Sequence, residues 1–331
     1  MEHMTTKESV LQLLRAADAP LSGQQLSRSL GVSRAAVWKA IEQLRREGCE
    51  IEAATNRGYR LLSAPERLDA AEIERQMEAC AWRGRLVVLD SVDSTNNYAR
   101  RLAAEGAPEG TAVIADMQTA GRGRRGRSFF SPSGEGLYLS VILRPNARPE
   151  QILHLTAMTA VAASRAVAAV CGERPMIKWT NDLVFGRKKL AGILTELSLV
   201  AETREVEYVV IGIGVNCAQS QFPPEIADIA ASIYTQTGKR NVRNALAAAL
   251  LCELSRMNDA LLSEKDAWLR EFAENCVTLG REVQIIRGDS VRPAFAEGIG
   301  PEAELLVRYP DGTREAVASG EVSVRGMYGY I

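Results

Sequence analysis

Residues 118–132 read QTAGRGRRGRSFFSP and form the most distinctive stretch of the chain. They lie between two strand-like runs, residues 111–115 and 137–143, so the pattern predicts a long loop, and loops of this length usually have a function or are disordered. Four arginines supply permanently charged, planar donors, and three glycines let the backbone approach a ligand closely. The stretch therefore predicts a site for phosphate or carboxylate groups. The alternative is a disordered RNA-binding tract, which the flanking strands disfavour.

A second cluster, Asp93-Ser94-Thr95-Asn96, follows the strand-like run 85–90 and precedes a helical pattern. Asp, Ser and Thr are preferred at helix N-termini, so an ordinary N-cap is one interpretation. The other is functional, because hydroxyl and amide groups at a strand-to-helix corner can bind a small polar head group.

The third cluster is KWTND at residues 178–182 followed by GRKKLAGIL at 186–194. Gly186 predicts a hairpin turn, after which Lys188 and Lys189 point to opposite faces of a strand. The lysine that points inward is expected to meet an anion, whereas a basic turn in solvent is the alternative. Beyond it, Gly212 and Gly214 interrupt an apolar run and predict the close approach of a ligand or of another backbone.

The N-terminal residues predict a helix-turn-helix. Thr5 with Glu8 and Ser22 with Gln25 are capping-box signatures, and each precedes apolar residues at helical spacing. A third helix over about residues 33–46 then takes the place of the recognition helix, and residues 56–60 form the basic turn of a β-wing. Lys and Arg only slightly outnumber Asp and Glu in this module, so a helical bundle for protein contacts is the alternative. The predicted DNA-binding residues are Ser33, Arg34, Lys39, Arg45 and Arg57.

Composition limits the remaining possibilities. The 331 residues suggest two or three domains, and a net charge of −1 excludes a wholly basic coat protein. The N-terminus lacks a signal-peptide pattern and Arg165 interrupts the most apolar stretch, so we expect a cytoplasmic chain without a membrane segment. With two histidines a multi-histidine metal centre is excluded, and His154 is interpreted as a core residue. The widely spaced cysteines are expected to be reduced: Cys49, Cys80, Cys171, Cys217, Cys252 and Cys276.

Taken together, these blocks closely resemble the biotin protein ligase family, specifically its bifunctional members that also repress biotin-synthesis genes. The resemblance covers almost the whole chain, and its most specific parts are residues 121–127, 178–182 and 189–192 behind the helix-turn-helix. The chain has Phe129 where the family usually has tryptophan, and Thr180 where it has proline. The expected fold class is α+β, with a winged helix-turn-helix at residues 1–64, a mixed α/β catalytic domain at 65–275 and a small SH3-like barrel at 276–331. Short strand-like runs past Cys276, starting with residues 277–279, agree with the last of these.

The resemblance implies a two-step transfer in which biotin and ATP form biotinyl-adenylate, and a lysine of a carrier protein then takes the biotinyl group. ATP and biotin are the substrates, and Mg²⁺ arrives with ATP. It implies these roles: catalytic Lys189, Arg122 and Asp182; biotin-binding Ser94, Thr95, Asn96, Gln118, Arg122, Gly123, Arg124 and Lys189; ATP-binding Gly121, Arg124, Arg125, Arg127, Asn181, Asn216 and Arg325.

The implied partners are a biotin carboxyl carrier protein, operator DNA, and a second copy of the chain once adenylate is bound. Two alternatives stay open at this point. The chain could be a ligand-sensing regulator without turnover, which the many positive charges of residues 121–127 disfavour. It could also be a ligase for another acid such as lipoate.

Overall fold

We describe the chain from a computed structural model. It describes residues 5–17, 19–46, 48–54, 58–64, 66–318 and 323–326. The backbone contacts divide the chain into two compact units, Met1–Glu66 and Arg67–Ile331.

The N-terminal unit is a winged helix-turn-helix. Three helices, α1 (Thr6–Ala16), α2 (Gly23–Leu30) and α3 (Arg34–Arg46), precede an antiparallel hairpin of β1 (Glu50–Ala54) and β2 (Gly58–Ser63). Both predicted capping boxes are present, and Gly31 ends α2 in the left-handed conformation that glycine tolerates best. The apolar stripes of the helices form one small core, whose members include Val10, Leu14, Leu26, Val37, Ile41 and Leu44.

The larger unit is built on a mixed seven-stranded sheet with the order β3-β4-β5-β9-β8-β7-β6. Its strands are β3 (Leu86–Val92), β4 (Ala112–Gln118), β5 (Gly136–Leu143), β6 (Met176–Lys178), β7 (Asp182–Phe185), β8 (Lys188–Leu199) and β9 (Val206–Asn216). Only the pair β3 and β4 is parallel among the named strands of this sheet. The helices are α4 (Ala70–Gln76), α5 (Thr95–Ala104), α6 (Leu155–Cys171), α7 (Ile233–Thr237), α8 (Arg243–Ala260) and α9 (Lys265–Glu274).

The central strand β5 explains where the site lies. All eight of its residues are buried, because helices or loops cover both faces. Side chains such as Leu139 join the main core with α6 and α8, whereas Ile142 on the opposite face packs under α5. Tyr138 and Ser140 share the α5 face by the two-residue period of a strand. Polar residues on that face can therefore meet the N-terminus of α5.

Helix α6 is a core helix. By length and composition the segment Pro149–Cys171 could cross a membrane, yet 72% of its most apolar window is buried within the fold. Its N-cap residue, His154, is buried, and its ring nitrogens lie 2.9 Å from the Leu261 carbonyl oxygen and 3.4 Å from the Glu302 carboxylate. The interpretation of His154 as a core histidine is confirmed.

The C-terminal residues form an antiparallel five-stranded sheet of order β13-β12-β11-β10-β14. The strands are β10 (Glu282–Arg287), β11 (Ser290–Ile299), β12 (Leu305–Arg308), β13 (Arg314–Val317) and β14 (Ser323–Gly326). The expectation of a strand at residues 277–279 was wrong, because these residues form turns after the isolated bridge between Ile177 and Cys276. The closure of this sheet into a barrel stays a prediction, as do the boundaries of the three domains.

The expectation that all six cysteines are reduced was wrong for one pair. Cys80 and Cys252 form a disulfide, with their Cα atoms 5.6 Å apart, within the usual range for such a bond. The two residues are 172 positions apart, so their spacing gave no signal. Cys80 follows α4, and α4 packs on α8, the helix that carries Cys252. Cys49, Cys171, Cys217 and Cys276 are buried thiols.

Candidate active site

A cleft of about 450 Å³, including its open mouth, lies where β5, β8 and β9 meet the N-terminus of α5 and the arginine loop, residues 119–135. Three sequence clusters that are far apart along the chain meet here. Nine of the predicted site residues line the cleft: Ser94, Thr95, Asn96, Gln118, Arg122, Gly123, Arg124, Asn181 and Lys189.

The floor of the cleft depends on two glycines of β9. A Cβ atom at Gly212 would lie 2.0 Å from Oδ1 of Asn96, and one at Gly214 would lie 2.6 Å from the Phe129 ring. Neither position can carry a side chain unless its neighbour moves. A close approach does occur at both glycines, but the group that approaches is a side chain of the site, Asn96 or Phe129, and not the predicted ligand or backbone.

A buried polar network forms one end of the cleft. The backbone N–H and the hydroxyl of Thr95 both donate to Oε1 of Gln118, at 2.9 and 3.1 Å. The Ser140 hydroxyl lies 2.8 Å from the Thr95 hydroxyl and 2.7 Å from Oδ1 of Asn96. Nδ2 of Asn96 donates to the Leu194 carbonyl and to Glu196. These contacts fix an uncharged group of donors and acceptors that can bind a polar head group.

Ser94 occupies the N-cap position of α5 but makes no side-chain cap bond. Ser94 is only 1% exposed and lines the cleft. An ordinary N-cap therefore does not account for this serine, which favours the functional interpretation of the cluster.

The arginine loop is ordered by its own backbone. The Phe129 N–H donates to the Gly121 carbonyl at 2.8 Å, and the Gly123 N–H donates to the Arg127 carbonyl at 2.7 Å. Arg125 has a φ of 58° and lies with Gly126 in a short 3-10 turn at the tip. A disordered RNA-binding tract does not fit these contacts.

Two arginines of the loop reach opposite sides of the cleft. The guanidinium of Arg122 donates to Oδ1 of Asn97 at 2.9 Å and pairs with Glu196 at 3.1 Å. Arg124 donates to Oδ1 of Asn181 at 2.9 Å. Burial lowers the pKa of Arg124, which Asp182 opposes by attraction, while Arg125 and Arg127 lower it further by repulsion. Arg124 stays charged, because a guanidinium cannot be deprotonated in a protein.

Lys189 is the cation at the other end of the cleft. Its Nζ lies 2.6 Å from Oδ1 of Asp182, which also accepts from Asn181 at 3.2 Å. The backbone of Lys189 is held by bonds to Ile229 and Ala231. Lys188 turns the other way and donates to the Ala227 carbonyl. The prediction that one of the two lysines faces the interior is confirmed, and the lysine is Lys189.

Some predicted site residues lie outside the lining of the cleft. Gly121 is buried within the arginine loop, and Arg125 and Arg127 are exposed on it. Asn216 is buried and donates to the Ala231 carbonyl, so it supports the segment that holds Lys189. The backbone of Arg325 lies on β14, and its side chain is outside the described part of the chain.

Sequence reasoning missed Glu196, which binds both Arg122 and Asn96. The single charge in the run GILTELSL could have signalled it, because a charge that is partly buried in a strand needs a partner. Tyr138 was also missed; its ring packs edge-on against Phe129, with the centroids 6.3 Å apart.

Comparison with known proteins agrees with this geometry. The Biotin/lipoate A/B protein ligase family matches residues 88–216, an HTH domain matches residues 6–60, and the Biotin protein ligase C terminal domain matches residues 278–325. The bifunctional ligase/repressor BirA of Bacillus spizizenii is 41% identical over 94% of this chain and 96% of its own length. The chain belongs to the family of bifunctional biotin ligases and repressors. BirA of Escherichia coli K12 is 33% identical over 92% of each chain.

Solved structures extend the agreement for this biotin ligase family. The biotin protein ligase from Aquifex aeolicus, determined in complex with biotin and ATP, has a TM-score of 0.63 and 30% identity. It covers 73% of this chain, and this chain covers 99% of it.

The helix-turn-helix places most of the predicted DNA-binding residues on one helix. Ser33 caps α3 by accepting from the Ala36 N–H, and Arg34 and Lys39 are exposed. Arg45 differs from the expectation of an outward side chain, because it is partly buried and donates to the Ile51 carbonyl and to Glu42. It joins α3 to the wing. Arg57 lies outside the described residues.

Proposed function

We propose that the chain is an ATP-dependent biotin protein ligase that also represses transcription in response to biotin. The observation that carries the ligase proposal is the arrangement of charge in one cleft. Arg122, Arg124 and Lys189 surround a space that ends in the uncharged network of Thr95 and Asn96. Such a cleft suits a ligand with a polar, uncharged head and an anionic tail.

In the first step the biotin carboxylate attacks the α-phosphorus of ATP and pyrophosphate leaves. Two anions must come together, and fixed cations lower the barrier because they neutralise charge as it develops. We assign Lys189 to the bridge between carboxylate and α-phosphate, since its backbone is fixed at two points. We assign Arg122 and Arg124 to covering the reacting groups, and Asn181, which accepts from Arg124, to binding the phosphates. The exposed Arg125 and Arg127 are assigned to the outer phosphates.

In the second step a lysine amine of a carrier protein attacks the biotinyl carbonyl and AMP leaves. We assign Asp182 to orienting the incoming amine, because its carboxylate already holds an ammonium group, that of Lys189, at 2.6 Å. The carrier is a biotin carboxyl carrier protein.

Mg²⁺ is proposed to arrive with ATP rather than to reside in the protein. Within the described chain, no three His, Cys, Asp or Glu side chains are grouped so that they could hold a metal ion. The phosphate oxygens of ATP are suitable ligands, because Mg²⁺ usually binds through substrate phosphates and water.

Self-association of the ligase is proposed to use the open side of β8. Strand β8 pairs with β7 only as far as Gly192. From there to Leu199, β9 is its one partner among the described strands, so the other edge of β8 is unpaired by strands. Leu197 and Leu199 are 49% and 40% exposed. An edge of this kind is a template for pairing with a second copy. A dimer would place two recognition helices on two half-sites of operator DNA.

The test is pyrophosphate exchange by the purified full chain, with biotin, lipoate and octanoate compared side by side. Biotin should support exchange and the other two acids should not. Exchange with lipoate instead would establish a ligase for that acid, and binding of biotin without any exchange would establish a sensor. Transfer is then measured with a carrier protein as the acceptor.

A further inference from the structure

The recognition helix α3 leaves one large aromatic side chain in solvent. Trp38 is 59% exposed, although the next residue toward the N-terminus, Val37, is fully buried in the core of the N-terminal unit. The apolar stripe of α3 consists of Val37, Ala40, Ile41 and Leu44, so the indole lies outside it. The fold of the unit therefore does not explain the choice of tryptophan at this position.

The residues around Trp38 have small or basic side chains. Arg34 lies one turn earlier on the same side of the helix, Lys39 follows, and Ala35 beside them is exposed and short. The first turn of α3 carries no acidic residue. Glu42, one turn later, is paired with Arg45 at 2.8 Å, so its charge is already compensated. An apolar ring between basic side chains is complementary to a polyanion that also presents an apolar group.

Duplex DNA has such a group in the major groove. The only apolar group on the base edges there is the C5 methyl of thymine. In helix-turn-helix proteins the N-terminal residues of the recognition helix reach the base edges, and Trp38 is the fifth residue of α3. We infer that Trp38 contacts thymine methyl groups in the major groove and is a specificity-determining residue of the repressor. The inference rests on the proposed repressor function.

A division of roles follows for the exposed face of α3. Arg34 and Lys39 carry charge and can contact phosphates on any sequence, whereas the indole has no charge and gains only where a thymine methyl is present. Loss of Trp38 should therefore reduce discrimination between sequences, and loss of Lys39 should weaken binding to all sequences alike.

The experiment uses the full chain with biotin and ATP. A random duplex library is first selected for binding, and the enriched site is then titrated in two forms, with thymine or with uracil at each single position. Wild type should lose roughly fourfold in affinity at one or more uracil positions, the effect of one buried methyl group. Trp38→Ala should bind the thymine site roughly tenfold more weakly and be insensitive to uracil. Trp38→Phe should keep part of the sensitivity.

Two control variants separate this role from others. Leu62→Ala removes a side chain that is 58% exposed on β2 of the same unit and should change neither affinity nor uracil sensitivity. Lys39→Ala should weaken both duplexes equally and reduce the dependence of binding on salt.

The outcomes distinguish the inference from the proposed function. If wild type enriches no sequence, the repressor function is overturned and the inference falls with it. If wild type enriches a site and Trp38→Ala keeps the same uracil sensitivity, the inference alone is overturned. If Trp38→Ala changes the oligomeric state measured by sedimentation but leaves the uracil sensitivity unchanged, the indole belongs to a contact between copies. The inference is then likewise wrong.

Discussion

Replacing Gly212 by alanine should damage the uncharged end of the cleft. The new Cβ would lie 2.0 Å from Oδ1 and 2.8 Å from Cγ of Asn96, far inside contact distance. Gly212 pairs with Ser140 of β5 on one side and with Leu194 of β8 on the other. Strand β9 therefore cannot shift without losing backbone hydrogen bonds to both neighbouring strands. Asn96 must move instead.

The magnitude follows from what Asn96 holds. It is 3% exposed and has hydrogen bonds to Ser140, Leu194 and Glu196, at 2.7, 3.2 and 2.9 Å. A buried polar group that loses its partner costs about 1–3 kcal/mol. Glu196 keeps Arg122 and Ser140 keeps Thr95, so the Asn96 amide and the Leu194 carbonyl are the two groups that lose a partner. We therefore expect a loss of about 2–6 kcal/mol in the free energy of unfolding. The KM for biotin should rise at least about tenfold, which corresponds to ~1.4 kcal/mol.

Urea denaturation and pyrophosphate exchange measure the two effects of Gly212→Ala. Gly298→Ala in β11 is the matched control, because its Cβ would meet only Cδ1 of Leu306 at an ordinary 3.7 Å. If the collision with Asn96 is the cause, Gly212→Ala should cost less stability in an Asn96→Ala background than in wild type. A fully additive double variant, or a wild-type KM for biotin in Gly212→Ala, would refute the reasoning.

Four further outcomes are expected. Lys189→Ala should lose roughly 10- to 150-fold in pyrophosphate exchange, the effect of one charge-assisted hydrogen bond of about 1.5–3 kcal/mol made in the transition state; near-normal exchange would remove Lys189 from the site. Arg122→Gly should form adenylate but release it, so that bystander lysines become biotinylated; tight retention of adenylate would show that the loop is not the lid. Deletion of residues 1–64 should leave carrier biotinylation measurable and abolish specific DNA binding; in the full chain, biotin with ATP should tighten DNA binding at fixed salt. Equal DNA affinity with and without biotin and ATP would exclude coupling between adenylate and DNA binding. Hydrogen bonding from Arg165 lowers the pKa of Glu271, so stability should fall as the pH drops through that lowered value, and Glu271→Gln should flatten the fall measured by thermal unfolding.

Features encoded by neighbouring residues could be predicted from the sequence. The capping boxes at Thr5 and Ser22 need only residues three positions apart, and the turn at Gly186 needs only the strands beside it. A close approach at Gly212 and Gly214 was predicted for a similar local reason, namely glycine within an apolar strand, but the side chains that approach could not be named from the strand alone.

Features that depend on pairing across the sheet could not be predicted in this way. The partner of Arg122 lies 74 positions away on β8, and the disulfide partner of Cys80 lies 172 positions away on α8. The alternation of Lys188 and Lys189 was predictable, but which of them faces the cleft is decided by the contacts of β8 with residues 229–231. Arg45 was expected to face outward because a helical projection contains no information on the hairpin β1–β2 beside it.

The contacts of the arginine loop explain how it can be ordered and still respond to a ligand. Its backbone bonds and the Gln118–Ser131 bond at 2.9 Å fix its base, whereas Arg122 reaches across to Glu196. The side chains of that ion pair are 41% and 21% exposed, and exposed pairs contribute only about 0–1 kcal/mol. A carboxylate or phosphate in the cleft can therefore replace Glu196 at little cost. The same exchange leaves Glu196 still bonded to Asn96, so the uncharged end of the cleft keeps its shape when Arg122 changes its partner.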